Sequence, residues 1–173
     1  MSDLPELHRR AGELLIETVE QVRDGHLHRA TPCTEWNVTQ VLQHAALDQG
    51  AWAAVISGTQ PSGENPFAPS GELGAEPLAY ADAALEASAP AWVAVSADAE
   101  SVPTPLPSGP MAPADAAGAA ALDAAIHAWD IAVAPSGSPV AGSVKSAAAY
   151  RPQARTALIR GVSFAIASSV SRR

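Results

Sequence analysis

Two residues on one stretch of the sequence, Asp123 and His127, have the types and the spacing to share a metal ion. In a helix, residues four apart lie about 40° apart on one face and one turn from each other. The surrounding residues are mostly small and apolar, and a carboxylate packed among them needs a partner because a bare buried carboxylate is costly. An exposed pair or a buried hydrogen bond is the alternative interpretation of this spacing.

A third candidate, His44, lies within the apolar pattern of another predicted helix, seven residues after its expected N-cap, Asn37. A lone histidine in such a pattern is more often a satisfied core residue than a ligand. Three candidates on two helices of one bundle nevertheless favour a shared metal site. A His/carboxylate/His set with open positions suits zinc first, with nickel and iron(II) as alternatives. Its chemistry is polarisation by a Lewis acid, or stabilisation of a bound water or thiolate as nucleophile.

Two further acids lie one helical turn from the histidines, Asp48 after His44 and Asp130 after His127. Each is a candidate either for orienting a ligand through a hydrogen bond or for replacing one. For Asp48 we slightly favour a solvated helix face. For Asp130 we favour a structural hydrogen bond beside Trp129, made to the first helix or to the loop before the second.

The remaining reactive and aromatic side chains are interpreted as structural. Cys33 precedes a helix N-terminus, where a thiolate is stabilised, but a packed connector residue is the favoured interpretation. The tryptophans are expected to be core or pocket walls, because no basic residues interleave with them as in a base-stacking surface: Trp36, Trp52, Trp92 and Trp129.

Helical periodicity and end signals indicate which elements must position these residues. We predict four helices, at residues 4–23, 37–56, 78–96 and 113–134. In the third, Leu85, Ala89, Trp92 and Val95 are expected to face inward, and Pro90 predicts a kink or a break. The segment 57–77, rich in Gly, Pro, Ser and Glu, is predicted to be a surface loop. The prediction is an all-α, up-down four-helix bundle over 1–135, followed in 136–173 by a linker and a helix at 152–169 that packs on or near the bundle.

The composition limits the classes of function. A net charge of −8 argues against nucleic-acid and anionic-membrane partners. The single cysteine excludes an intrachain disulfide, and no signal peptide or membrane-spanning run is apparent, so a cytoplasmic protein is expected. No Lys or Arg occurs between Arg29 and Lys145, so this central stretch can host a cation but has no basic side chain for an anionic substrate. A homodimer is compatible with the sequence.

Both histidine motifs resemble those of one family. The segment TPCTEWNVTQVLQH at 31–44 is similar to the TPC-x-x-W-[DN]-V-x-x-[LV]-x-x-H signature of the mycothiol-dependent maleylpyruvate isomerase metal-binding domains. The segment DAAIHAWD at 123–130 resembles the second motif of that family, E-x-x-x-H-x-W-D. The resemblance covers about residues 4–134 and implies a DinB-like four-helix bundle.

The resemblance implies one divalent metal on His44, Asp123 and His127, with water completing the ligand set. It further implies a small thiol co-substrate, mycothiol, and an electrophilic substrate, in a thiol-dependent transferase or isomerase. The alternative is a binding protein that keeps the bundle without turnover.

This chain departs from the family pattern in two ways. Asp123 replaces the usual glutamate and shortens the reach by one methylene, about 1.5 Å, which predicts weaker, water-bridged or shared metal binding. The full isomerase also has a second, C-terminal domain that supplies substrate-binding residues. We expect the chain to be too short to contain that domain, which argues against isomerase activity of the bundle alone.

Overall fold

Four α-helices make up the bundle in a computed structural model of the protein, which describes residues 4–96 and 98–134. The predicted all-α, four-helix bundle is confirmed, and the described residues contain no strand. No helix in these ranges is both long and apolar enough to cross a membrane. The predicted linker and helix after residue 135 lie outside the described residues. The helices are α1 (Leu4–Val19), α2 (Val38–Ser57), α3 (Pro77–Ala94) and α4 (Pro113–Ala132).

The ends of α2 are fixed by local hydrogen bonds. The Asn37 side chain accepts from the Gln40 N–H, and the Gln40 side chain accepts from the Asn37 N–H. This reciprocal pair satisfies two donors at the helix start that have no partner within the helix. At the other end Gly58 has φ of 67°, a left-handed conformation that glycine adopts without strain. The predicted start and end of this helix are therefore nearly correct.

The third helix departs from the prediction in two respects. It continues from Pro77 to Ala94 through Pro90, so the option of a break is wrong. Ala89 is exposed, and the neighbouring Ser88 is buried in its place. The apolar pattern of this helix is weak because alanine dominates it, and alanine tolerates either environment. The inward face could therefore not be assigned by periodicity.

The two main core clusters reveal the direction of each helix. One cluster joins the end of α1 to the starts of α2 and α3 and the end of α4, through Val19, Val38, Ala81 and Ile131 among others. The other joins the opposite helix ends, through Leu4, Trp52, Trp92 and Ala116. The helices therefore run up, down, down and up in chain order, with α2 parallel to α3. The alternating direction predicted for an up-down bundle is wrong between α2 and α3 only.

The parallel arrangement requires a long connection between α2 and α3. Residues 58–76, which we call the crossover loop, return along the bundle from the end of α2 to the start of α3. A helix of twenty residues is about 30 Å long, a distance that nineteen residues span easily. Hydrogen bonds from the first half of α2 hold this loop, as described below.

A buried polar cluster joins three helices near the other end of the bundle. The His8 ring Nε2 lies 3.2 Å from Gln49 Oε1 and 3.1 Å from Ser88 Oγ, and the ring stacks on Trp92. Gln49 Oε1 can only accept, and the Ser88 hydroxyl proton is donated to the Leu85 carbonyl, so the His8 Nε2–H is the donor to both side chains. Burial lowers the pKa of His8, because the protonated ring would lose its hydration.

We predict that His8 makes the bundle acid-sensitive. The pKa of the folded-state ring lies below the 6.5 of the unfolded chain, so between these values the unfolded chain binds more protons and stability falls as the pH falls. Urea unfolding from pH 7.5 to 5, with a metal chelator present, should give a steeper loss of unfolding free energy for the wild type than for His8→Gln. Equal slopes for the two proteins would contradict the prediction.

Candidate metal centre

The antiparallel packing of α2 and α4 brings the three predicted ligands together. His127 Nε2 lies 3.4 Å and His44 Nε2 lies 3.7 Å from the same atom, Asp123 Oδ1. One potential ligand atom from each residue lies within 4.8 Å of the others. Ligand atoms about 2.0–2.1 Å from a tetrahedral zinc are roughly 3.4 Å apart, so the widest separation here has to shrink by somewhat over 1 Å when an ion is held.

Each imidazole ring is oriented by a hydrogen bond at its Nδ1 atom. His44 Nδ1 lies 2.8 Å from the Pro66 carbonyl oxygen, which can only accept, so this nitrogen carries the proton. His127 Nδ1 lies 3.1 Å from Asp130 Oδ2 and donates to that carboxylate. The lone pair of each neutral ring is therefore on Nε2, the atom that faces Asp123. This is the usual arrangement of metal-binding histidines, whose other nitrogen donates to a carbonyl or a carboxylate.

The hydrogen bonding of the Asp123 carboxylate indicates whether a cation fits among these residues. Its Oδ2 is buried and has no hydrogen-bond partner among the described residues. A buried carboxylate oxygen in this state is destabilising, and native structures rarely leave one without a partner or an ion. Two neutral nitrogen donors and one carboxylate form a set that zinc, nickel and iron(II) accept. The residues present therefore fit a divalent cation.

The charges of the site are balanced by a proton in the metal-free state. Burial acts against ionisation of Asp123, but the imidazoles of His127 and His44 outweigh it and lower its pKa to about 2. Burial likewise acts against protonation of His127, but Asp123 and Asp130 outweigh it and raise its pKa to about 9. At neutral pH a positive charge thus lies between two carboxylates, and a divalent cation can replace that proton.

Asp48 belongs to this site and does not lie on a solvated helix face. Its exposed fraction is 8%, so the prediction of a solvated face is wrong. Burial first, and then the negative charge of Asp123, raise the pKa of Asp48 to about 7. The helix pattern could not reveal this because α4 covers that part of α2. The Asp48 carboxyl is therefore only partly ionised near neutral pH, and it is not one of the three converging groups.

Three other sequence predictions can be compared with the structure. Asp130 hydrogen-bonds to His127, whereas the sequence favoured a hydrogen bond to the first helix or to the loop before the second helix. Cys33 packs at the edge of the core as expected, and burial together with Asp130 and Glu35 raises the pKa of its thiol, which does not favour a reactive thiolate. Trp52 and Trp92 are buried as expected, whereas Trp129 is 37% exposed and is not a core residue.

The crossover loop is held against α2 by one buried amide. The Gln43 Nε2 donates to Glu64 Oε2 at 2.9 Å and to Ser70 Oγ at 3.2 Å, and its Oε1 accepts from the Gly71 N–H at 2.6 Å. The Gln40 side chain adds a bond to the Pro69 carbonyl at 3.2 Å. Because Pro66 lies in this loop, the same bonds hold the carbonyl that orients His44.

Sequence reasoning did not identify Gln43, Pro66 or Phe67 as residues of the site. Gln43 immediately precedes His44, and a glutamine within the apolar pattern of α2 was a signal that could have been followed. Pro66 acts through its backbone carbonyl, which no side-chain pattern reveals. Phe67 follows it in the loop, with its ring 5.9 Å from that of His44. Trp36 lies close to the His44 ring as well, at 4.8 Å between ring centres.

The fold and the site together define an α-helical bundle with a His/Asp/His cluster that can hold a metal ion. Residues 8–132 match the family described as the mycothiol maleylpyruvate isomerase N-terminal domain. The match covers more than half of the chain, so the protein belongs to this family, as its two histidine motifs predicted. No curated protein and no solved structure matches the chain.

We predict that Gln43→Leu releases the crossover loop. The change keeps a side chain of similar size but removes every hydrogen bond of the amide, with a loss of roughly 1–3 kcal/mol. Hydrogen exchange of the Gly71 amide should become at least about tenfold faster, while the helical circular dichroism stays unchanged. Gln60→Leu makes the same change at an exposed position of the loop and should leave this exchange rate unaltered. Unchanged exchange in Gln43→Leu would contradict the assigned role.

Proposed function

We propose that this protein holds one divalent metal ion on His44, Asp123 and His127 and uses it to transfer a small thiol, mycothiol first among candidates, to an electrophilic substrate. The observation that carries the proposal is the convergence of two Nε2 atoms on the Asp123 carboxylate, whose second oxygen is buried without a partner. Membership of the mycothiol maleylpyruvate isomerase N-terminal domain family supports the choice of thiol.

Zinc is the metal we favour, with nickel and iron(II) as alternatives, because two imidazoles and a carboxylate suit all three. When bound, such an ion supplies Lewis acidity that lowers the pKa of a thiol. Acidic side chains near the ligands also favour binding of a cation. Asp130 contacts His127 and Asp48 lies near Asp123, and the negative charge that these two carboxyls carry favours a cation.

The residues around the cluster orient its two imidazole rings. Asp130 fixes the His127 ring and the Pro66 carbonyl fixes the His44 ring, so both nitrogens already face the site before a cation arrives. Such preorganisation lowers the reorganisation that binding and catalysis require. In the transfer itself, the thiol sulfur bonds to the electrophilic carbon, the leaving group departs with its electron pair, and the thiol proton passes to solvent.

A transferase is favoured over an isomerase of small dicarboxylates by the charge distribution. The described residues after Arg29 include no lysine or arginine that could hold a second carboxylate. The described cations at the start of α1, Arg9 and Arg10, are exposed and paired with Glu6 and Glu13. A neutral co-substrate and an uncharged electrophile fit this environment better.

Metal content is the first test of the proposal. The full chain, incubated with zinc and freed of excess ion by gel filtration, should retain about one equivalent by mass spectrometry. His127→Ala should lose most of it, because a ligand is removed while the helical fold stays. His28→Ala, which changes an exposed histidine before α2, is the matched control and should retain the metal. Equal zinc in the wild type and in His127→Ala would exclude the assigned site.

Thiol transfer is the second test. With mycothiol and monochlorobimane at pH 7, the zinc-loaded protein should form the thioether at least roughly tenfold faster than the metal-free protein, because a lower thiol pKa raises the thiolate fraction. Full zinc retention with no acceleration for this or other alkylating electrophiles would support the non-catalytic binding protein instead.

A third prediction concerns Asp130. Asp130→Asn removes the negative charge behind His127 but keeps the size of the side chain. Loss of such an orienting carboxylate weakens metal binding by roughly 10- to 100-fold, and competition with a fluorescent zinc chelator measures the change. The variant Asp115→Asn alters an exposed acid in the first turn of the same helix and is expected to bind zinc like the wild type. Wild-type affinity in Asp130→Asn would indicate that the negative charge of Asp130 has no role in metal binding, because the asparagine oxygen can still accept from His127 Nδ1.

A further inference from the structure

Phe67 is the most exposed large apolar side chain of the described residues, with an exposed fraction of 72%. Single exposed apolar residues are common on protein surfaces and mean little alone. This one differs because its ring lies beside a residue of the candidate metal centre, 5.9 Å from the His44 ring. The exposure of Phe67 next to the cluster therefore calls for an explanation, whereas the exposure of an isolated surface residue does not.

The backbone on both sides of Phe67 is held in place. The preceding Pro66 carbonyl accepts from His44 Nδ1 at 2.8 Å. The Phe67 N–H donates to the Asn65 side chain at 2.9 Å, and the Ala68 N–H closes a turn onto the Asn65 carbonyl at 3.0 Å. The backbone that carries the ring is thus anchored, and the ring is presented to solvent.

The loop residues on either side of Phe67 in the sequence form a polar and negative cleft. A cleft of about 420 Å³ is lined by neighbouring loop residues, among them Asn65, Ser70 and the carboxylates of Glu64 and Glu72. Between Arg29 and Lys145 lies a long stretch that contains the loop and both ligand helices, and it has no lysine or arginine. An anionic group placed over Phe67 would be repelled, whereas a flat uncharged group can stack on the ring with its edge toward the polar cleft.

We propose that Phe67 determines specificity by stacking on a flat, uncharged and preferably aromatic group of the electrophile that reacts at the metal centre. The inference rests on the proposed function, since the metal centre fixes the other end of the substrate. Glu64 and Glu72 add selection against anionic groups. Phe67 contacts the substrate and not the metal, so its removal changes selectivity and leaves the metal in place.

Two metal-binding probes that differ only in their substituent test the proposal. Acetohydroxamate and benzohydroxamate both bind zinc through the same atoms, but only the second carries an aromatic ring. For the zinc-loaded wild type, calorimetry should give roughly tenfold tighter binding of benzohydroxamate, the size of one aromatic contact. Phe67→Ala should lower the affinity for benzohydroxamate to that for acetohydroxamate, with affinity for acetohydroxamate and zinc content unchanged.

Two controls sharpen the test. Val93→Ala removes a side chain of similar exposure, 69%, from α3 and should keep the preference for benzohydroxamate. The anionic probe 4-carboxybenzohydroxamate should bind the wild type several-fold more weakly than benzohydroxamate and recover in the double variant Glu64→Gln, Glu72→Gln.

The outcomes separate this proposal from the one on which it rests. Zinc and acetohydroxamate bound normally, with the same preference for benzohydroxamate in Phe67→Ala and the wild type, would overturn the role of Phe67 alone. Zinc not retained by the wild type would overturn the metal centre and, with it, the specificity proposed here. A preference lost only in Phe67→Ala would support both.

Discussion

The arrangement of the whole site depends on burying one carboxylate, Asp123, between two imidazoles. A carboxylate in this position is unfavourable unless positive charge surrounds it. In the metal-free protein His127 supplies that charge as a proton, and its pKa of about 9 reflects the same attraction. The helices α2 and α4 must therefore pack in one register, because a shift of one residue would turn an imidazole away and leave the carboxylate without compensation. Fold and site share a single electrostatic constraint.

The second constraint is the parallel direction of α2 and α3. It requires a loop that travels the length of the bundle, and the loop travels beside His44 because α2 carries the amides that hold it. Gln43 faces the loop and the next residue faces the cluster. The loop thus gains a fixed place from the same helix turn that provides a ligand. Its exposed ring and its carbonyl oxygen both reach the site for this reason.

The sequence predicted the helices better than their arrangement. Asn37 and Gly58 mark the ends of α2, and the four-residue spacing of Asp123 and His127 places both on one face, since these are local properties. The direction of α3 is not local, because a nineteen-residue connection permits either direction. The burial of Asp48 and the partner of Asp130 depend on which helices are neighbours, and the periodicity of one helix does not contain that information. Ala89 was misassigned because an alanine-rich helix has little contrast between its faces.

The crossover loop supplies two groups to the site through adjacent residues, the Pro66 carbonyl and the Phe67 ring. Enzymes that place metal orientation and substrate recognition on separate elements can vary one while keeping the other. Here an insertion or a proline exchange within this turn would displace both groups together. Under the specificity proposed for Phe67, a change of substrate preference would therefore be made by replacing the side chain at position 67, with the length and backbone path of the turn preserved.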